Sequence, residues 1–145
     1  MNRKAVLISI QPKWIDKIMN GQKILEVRKT KPKLDLPFKC YIYQSGKNLL
    51  KAVYGSEFSK NDFVVGEFTC DRIEEYKYSD CDGCDIDDET LLETMLEWDE
   101  INIYANGKSI FCWHISDLKI YDEPKELSDF GLKRSPQSWQ YVEEL

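Results

Sequence analysis

Long apolar runs are missing from this sequence: no stretch approaches the ~18 consecutive apolar residues of a membrane-spanning helix. Histidine is nearly missing too, with His114 alone in 145 residues. No serine or cysteine nucleophile motif surrounds it, so it reads as a hydrogen-bonded strand histidine rather than part of a triad. The seven glycines form neither a phosphate-cradling loop nor a dinucleotide fingerprint. Repeats, linkers and low-complexity segments are absent. Five cysteines, an odd number, argue against a disulfide framework. Cys40, Cys70 and Cys112 sit in apolar runs and read as small buried hydrophobes. Cys81-Asp82-Gly83-Cys84 is a lone C-x-x-C. To bind a metal it would need His114 and Cys70 or Cys112 to converge on it, and its acidic neighbours oppose thiolate formation. No metal and no cofactor is expected.

What is present fits one globular domain with a single core: 42% of residues are apolar and 32% charged. The net charge of −6 excludes a generic polyanion binder. Lysine and arginine nevertheless crowd the first 60 residues, while acid gathers in 80–100, which predicts one basic and one acidic face. The start, Met1–Ile8, is basic and then apolar, but its apolar run is shorter than the ~7–15 residues of a signal-peptide core. It reads as a strand, and the protein as cytoplasmic.

In chain order, Ala5–Ile10 predicts a buried strand. Pro12–Asn20 predicts a helix, with proline in its first turn and Gly21 closing it in the left-handed conformation. Lys23–Lys29 predicts a strand in which Ile24, Glu26 and Arg28 share one face and Leu25 and Val27 the other. If Leu25 and Val27 are buried, a carboxylate and a guanidinium stand side by side. Spacing alone leaves open a surface ion pair or the floor of a polar site.

Thr30–Pro37 is a basic loop, and Phe38–Tyr43 alternates like a half-buried strand. Gln44–Asp62 reads as a long loop containing Ser45-Gly46-Lys47. Phe63–Tyr76 is a long strand with Gly66 as a bulge. Tyr76–Asp87 reads as an acidic loop. Asp87 caps one helix carrying Leu91, Leu92, Met95, Leu96 and Trp98. Ser109–Tyr121 is a strand whose apolar phase changes near Ser116-Asp117, where a bulge is expected. Ser135–Val142 is a capped turn or closing strand. The fold class is α+β: a small mixed β-barrel with flanking short helices.

Taken together, Leu7-Ile8-Ser9-Ile10-Gln11-Pro12-Lys13-Trp14 and Ile18-Met19-Asn20-Gly21-Gln22-Lys23-Ile24-Leu25-Glu26-Val27-Arg28-Lys29 resemble the ASCH domain family. Its signature is a helix ending in glycine and then Gly-x-Lys-x-x-Glu-x-Arg. Val64–Phe68, Trp113–Leu118 and Pro136–Tyr141 extend the resemblance over nearly the whole chain. It implies a PUA-like barrel with a cleft lined by the motif. It also implies RNA or a modified nucleotide as partner, without a membrane. The expected ligand-binding residues are Lys13, Trp14, Lys23, Glu26, Arg28, Ser45, Gln137, Ser138 and Trp139.

Some family members are enzymes, an amidohydrolase of acylated cytidine and a ribonuclease. An enzyme on the same cleft would use Lys23 or Glu26 as acid or base, with Glu67 as partner. The amidohydrolases pair the lysine with a nucleophilic threonine three residues later, where this chain has Glu26. A carboxylate does not replace that hydroxyl in an acyl transfer, so the resemblance points to recognition before hydrolysis. A protein-interaction role for the acidic half is the remaining alternative. The aromatic residues Tyr41, Tyr43 and Tyr141 are read as stacking platforms or core, and Trp113 as core.

Overall fold

The computed structural model describes residues 3–45 and 63–145. Its frame is a six-stranded mixed sheet in the order β2-β7-β4-β3-β1-β8. The strands are β1 (Lys4–Ile10), β2 (Leu25–Arg28), β3 (Phe38–Gln44), β4 (Phe63–Tyr76), β7 (Ile110–Glu126) and β8 (Trp139–Glu143). A separate hairpin, β5 (Tyr78–Ser79) and β6 (Gly83–Cys84), occupies part of the stretch expected to be loop. Among the described residues only β1 and β3 pair in parallel; the other ladders of this sheet are antiparallel. No β2–β8 ladder closes the sheet among the described residues, so the expected barrel is an open one.

Helix α1 (Pro12–Met19) buries Ile15 and Ile18 and ends on Asn20. Gly21 follows at φ +79, with Gly21 N donating to Ile18 O and Gln22 N to Lys17 O. That pair of reverse bonds is a Schellman motif, which glycine enters without a Cβ penalty. It turns the chain directly into Lys23 and β2.

One helix was expected after Asp87, and two are found: α2 (Asp88–Thr94) and α3 (Trp98–Ala105). Asp87 caps the first, accepting from Thr90 N. Met95 breaks the run by adopting φ 61, and Glu97 starts α3 through a reciprocal capping box with Glu100. The break leaves Thr94 at the end of α2, beside β2.

The bulges fall where the pattern changes phase. The β4–β7 register shifts between Val64 and Gly66 and again between Glu67 and Thr69, opposite Asp117 at φ 48. β3 is buried on both faces rather than one: Phe38, Cys40 and Ile42 join a core with Ile8, Phe68 and Trp113. Tyr41 and Tyr43 join a second core with Val64, Tyr121 and Leu127. The 3₁₀ turn Leu127–Phe130 supplies that cover, Phe130 packing edge-on to Tyr41 at 4.7 Å. Burial removes both tyrosines as stacking platforms. A third cluster holds Leu25 and Val27 against Ile101, Ala105, Ile110 and Cys112.

Candidate functional site

With Leu25 and Val27 packed under α3, Glu26 and Arg28 point to the other side of β2. There they join a cleft of about 700 Å³ lined by Ser9, Gln11, Lys13, Trp14, Lys23, Glu26, Arg28, Lys29, Thr30, Ser45, Glu100, Tyr104, Gln137 and Ser138, among others. The cleft therefore collects α1, β2, α3 and the segment leading into β8.

Lys23 is 1% exposed. Its Nζ donates to Thr94 O at 2.6 Å, a carbonyl near the end of α2 left free of helical bonding. The ammonium also lies 5.0 Å from the Trp14 ring centroid and 4.0 Å from Glu26 Oε1. Burial lowers its pKa below the ordinary lysine value, against the opposing pull of the Glu26 carboxylate.

Glu26 is buried. Its Oε1 accepts from Val27 N at 3.2 Å, and its Oε2 lies 3.9 Å from Arg28 Nη2, beyond hydrogen-bond reach. That Oε2 is buried without a hydrogen-bond partner. Both neighbouring cations direct donors elsewhere. Arg28 Nη1 donates to Ser138 O at 3.2 Å and Ser138 Oγ at 3.0 Å, and Nη2 to Ser9 O at 2.6 Å. Ser9 in turn donates from N to Ser138 O at 2.9 Å and from Oγ to Pro136 O at 2.6 Å. The guanidinium thus joins β2 to the segment beside β1, and fixes the Pro136–Ser138 wall of the cleft.

Trp14 forms a flat apolar wall, its ring carrying Lys13 Nζ at 4.7 Å. At the other side Lys29 Nζ sits 4.9 Å from the Tyr104 ring, and burial raises the Tyr104 pKa.

Among the residues singled out from sequence, Lys13, Trp14, Lys23, Glu26, Arg28, Ser45, Gln137 and Ser138 line this cleft. Trp139 does not. It packs edge-on to Trp113 at 5.8 Å and Tyr141 at 5.3 Å and donates from Nε1 to Thr30 Oγ1. Ser138 meets Arg28 from the bend before β8, whereas Trp139, the first residue of β8, turns its ring to Trp113 and Tyr141. Glu67 is also elsewhere: on β4 it accepts from Tyr121 Oη at 2.7 Å and pairs with Lys39 at 3.1 Å. Gly46 and Lys47 lie outside the described residues. Ser9, Thr30, Glu100 and Tyr104 line the cleft without any short-range signal that announces them.

Cys81 is exposed and Cys84 buried, and Cys84 N donates to Asn102 Oδ1. Among the described residues no three metal-ligating side chains cluster. Burial pushes the Cys70 and Cys112 thiols up to about 12. His114 Nδ1 lies 2.6 Å from Asp71 Oδ1, a hydrogen-bonded strand histidine. No described helix is long and apolar enough to cross a membrane.

Fold and cleft together define a small α+β domain class: an open, curled mixed sheet with a charged cleft between its edges. Solved structures that share this fold include three of the ASCH protein of Zymomonas mobilis. The ASCH protein without a named substitution matches at a TM-score of 0.66 and 19% identity, covering 94% of this chain and 86% of its own. A serine-to-alanine variant matches at 0.67 and 19% identity, covering 97% and 89%, and a tyrosine-to-phenylalanine variant at 0.66 and 19%, covering 96% and 90%. No protein-family profile and no curated protein matches the sequence. The chain shares the fold of the Zymomonas mobilis ASCH protein.

Proposed function

We propose that the cleft recognises a nucleobase, carried by a modified nucleotide or by RNA. The observation that carries this reading is Glu26 Oε2, a buried carboxylate oxygen with no donor, in a cleft walled by an indole. A buried acceptor left unpaired costs about 1–3 kcal/mol, which a ligand's amino or imino N–H offsets on binding. Carboxylates accept in this way from the exocyclic amine of cytosine, and a ring laid on Trp14 adds about 1–3 kcal/mol. A volume of about 700 Å³ suits a nucleotide-sized ligand.

Titration of the protein with cytidine, adenosine, guanosine and uridine, followed by calorimetry, tests the reading. Glu26→Gln is expected to weaken binding of an amino-bearing nucleoside at least tenfold. Equal affinity in the variant, or no binding of any nucleoside by the parent, overturns it.

A hydrolase on the same cleft is the second reading. What favours it is Lys23, an amine with depressed proton affinity 4.0 Å from a carboxylate. Such a pair can take up and return a proton during amide or phosphodiester cleavage. Incubation with acylated cytidines and with RNA decides it: products formed by the parent and lost in Lys23→Ala establish catalysis, and no turnover of either substrate sets it aside.

A further inference from the structure

From the rim of the cleft, where Lys29 lines it, the segment that follows β2 runs outward with lysines at every second position: Lys29, Lys31 and Lys33, all exposed. Two of the ammonium groups are set over aromatic rings, and the third lysine is tied to one through its backbone. Lys29 lies over Tyr104 at 4.9 Å and Lys31 over Phe111 at 5.8 Å. Lys33 donates its backbone N–H to Tyr141 Oη at 2.8 Å. Thr30 ties the same segment inward, accepting at its carbonyl from Trp113 Nε1 and at its hydroxyl from Trp139 Nε1. Among the described residues none of Lys13, Lys29, Lys31 and Lys33 belongs to an ion pair, whereas Lys39 is paired with Glu67. Unpaired cations beside rings in a chain of net charge −6 are a local reversal of the overall field.

Resting on the nucleobase reading above, we infer that this strip binds a single-stranded nucleic acid running out of the cleft. Phosphodiesters meet the ammonium groups, and bases flanking the one in the cleft stack on exposed faces of Tyr104 and Tyr141, which are 37% and 42% exposed. Such alternation of cations and rings tracks a backbone without reading its sequence.

The test compares a labelled single-stranded RNA of about ten nucleotides, within the usual site sizes, with a free nucleoside. Fluorescence anisotropy across a salt series reads the first and calorimetry the second. The double variant Lys31→Glu/Lys33→Glu is expected to weaken RNA binding at least tenfold. Lys31→Ala/Lys33→Ala should flatten the log–log salt slope by about 0.7 per lysine. Both should leave nucleoside affinity unchanged, and Lys31→Arg/Lys33→Arg should restore RNA binding. A DNA strand of the same sequence shows whether the 2′-hydroxyl contributes. RNA affinity unmoved by the charge reversals overturns the strip while the cleft reading stands. Nucleoside binding lost with RNA binding intact and lysine-dependent overturns the cleft reading and leaves the strip. Polyglutamate bound as tightly as RNA overturns the nucleic-acid assignment.

Discussion

Arg28 closes β2 and Ser138 leads into β8, strands at opposite edges of the sheet, and one guanidinium nitrogen donates to both the carbonyl and the hydroxyl of that serine. The adjacent nitrogen reaches Ser9 O at 2.6 Å. An open sheet is thereby held shut by a side chain instead of a ladder. The planar fork matters, because two separate nitrogens reach the Ser138 and Ser9 acceptors, a spacing that the single nitrogen of a lysine does not reproduce.

Arg28→Ala is expected to cost about 3 kcal/mol, since hydrogen bonds to a charged donor contribute about 1.5–3 kcal/mol and Glu26 loses a neighbouring cation. Arg28→Lys should recover less than half of that loss. Denaturant melts give the stabilities. Amide exchange should show faster opening over 136–141 in both variants; unchanged protection there would show that the guanidinium holds nothing.

Lys23 sets an alkaline dependence. Its folded-state pKa lies below its unfolded value, so the unfolded chain binds more protons between the two. The burial penalty is fully present below the folded pKa and fades as pH rises through it toward the ordinary lysine value. Relative to Lys23→Met, the parent should therefore gain stability across that window. Parallel profiles for the two proteins would rule the linkage out. In Glu26→Gln the lysine loses its main raising influence, and its proton affinity should fall further, readable from the pH dependence of amine acylation at Lys23.

Glu67 and Lys39 shift in opposite senses. Burial pushes the Glu67 carboxyl up, but hydrogen bonds from Tyr121 and Lys39 outweigh it and hold the pKa low. The Glu67 hydrogen bond raises Lys39. The carboxylate's contribution is present above its unfolded pKa and is lost as pH falls through the folded one. Glu67→Gln should cost about 1 kcal/mol at neutral pH, a partly exposed pair being screened, and the difference from the parent should vanish in acid. Nucleoside binding should not change, because Glu67 is outside the cleft.

Gly66 meets β7 too closely for a side chain: an added Cβ would lie 2.6 Å from Lys119 O. Gly66→Ala must move backbone at the bulge, and thermal unfolding should register a loss of about 1–3 kcal/mol. An unaltered melting temperature would mean that the strands separate there freely.

Much of the framework was legible because short-range patterns determine it. The β4 span, the glycine closing α1 and the bulge at Ser116-Asp117 all follow from local periodicity and φ preference. The division of β2, with Leu25 and Val27 inward and Glu26 and Arg28 opposite, follows from the two-residue repeat. What alternation cannot tell is what covers the second face. Tyr41 and Tyr43 alternate in sequence like the exposed face of a strand, but Leu127 and Phe130, nearly 90 residues on, pack against that face. The split between α2 and α3 depended on a capping box built from glutamates, which lacks the usual serine or threonine signature. Trp139 was assigned by composition, mixed rings beside amides, whereas its neighbour Ser138 lines the cleft. Tyr104 and Ser9 enter the cleft through tertiary proximity alone.

The cleft has one consequence for synthesis and folding. Ser9 and Pro136, joined by a hydrogen bond, are 127 residues apart in sequence. Loop closure over such a distance precedes any reward from the contact, so the wall forms late. A nascent chain halted before Pro136 would carry the lysine–glutamate floor with no opposite side. Capture of the proposed nucleobase should then begin only once Trp139–Glu143 has docked on β1, so that binding reports when this edge of the sheet is in place.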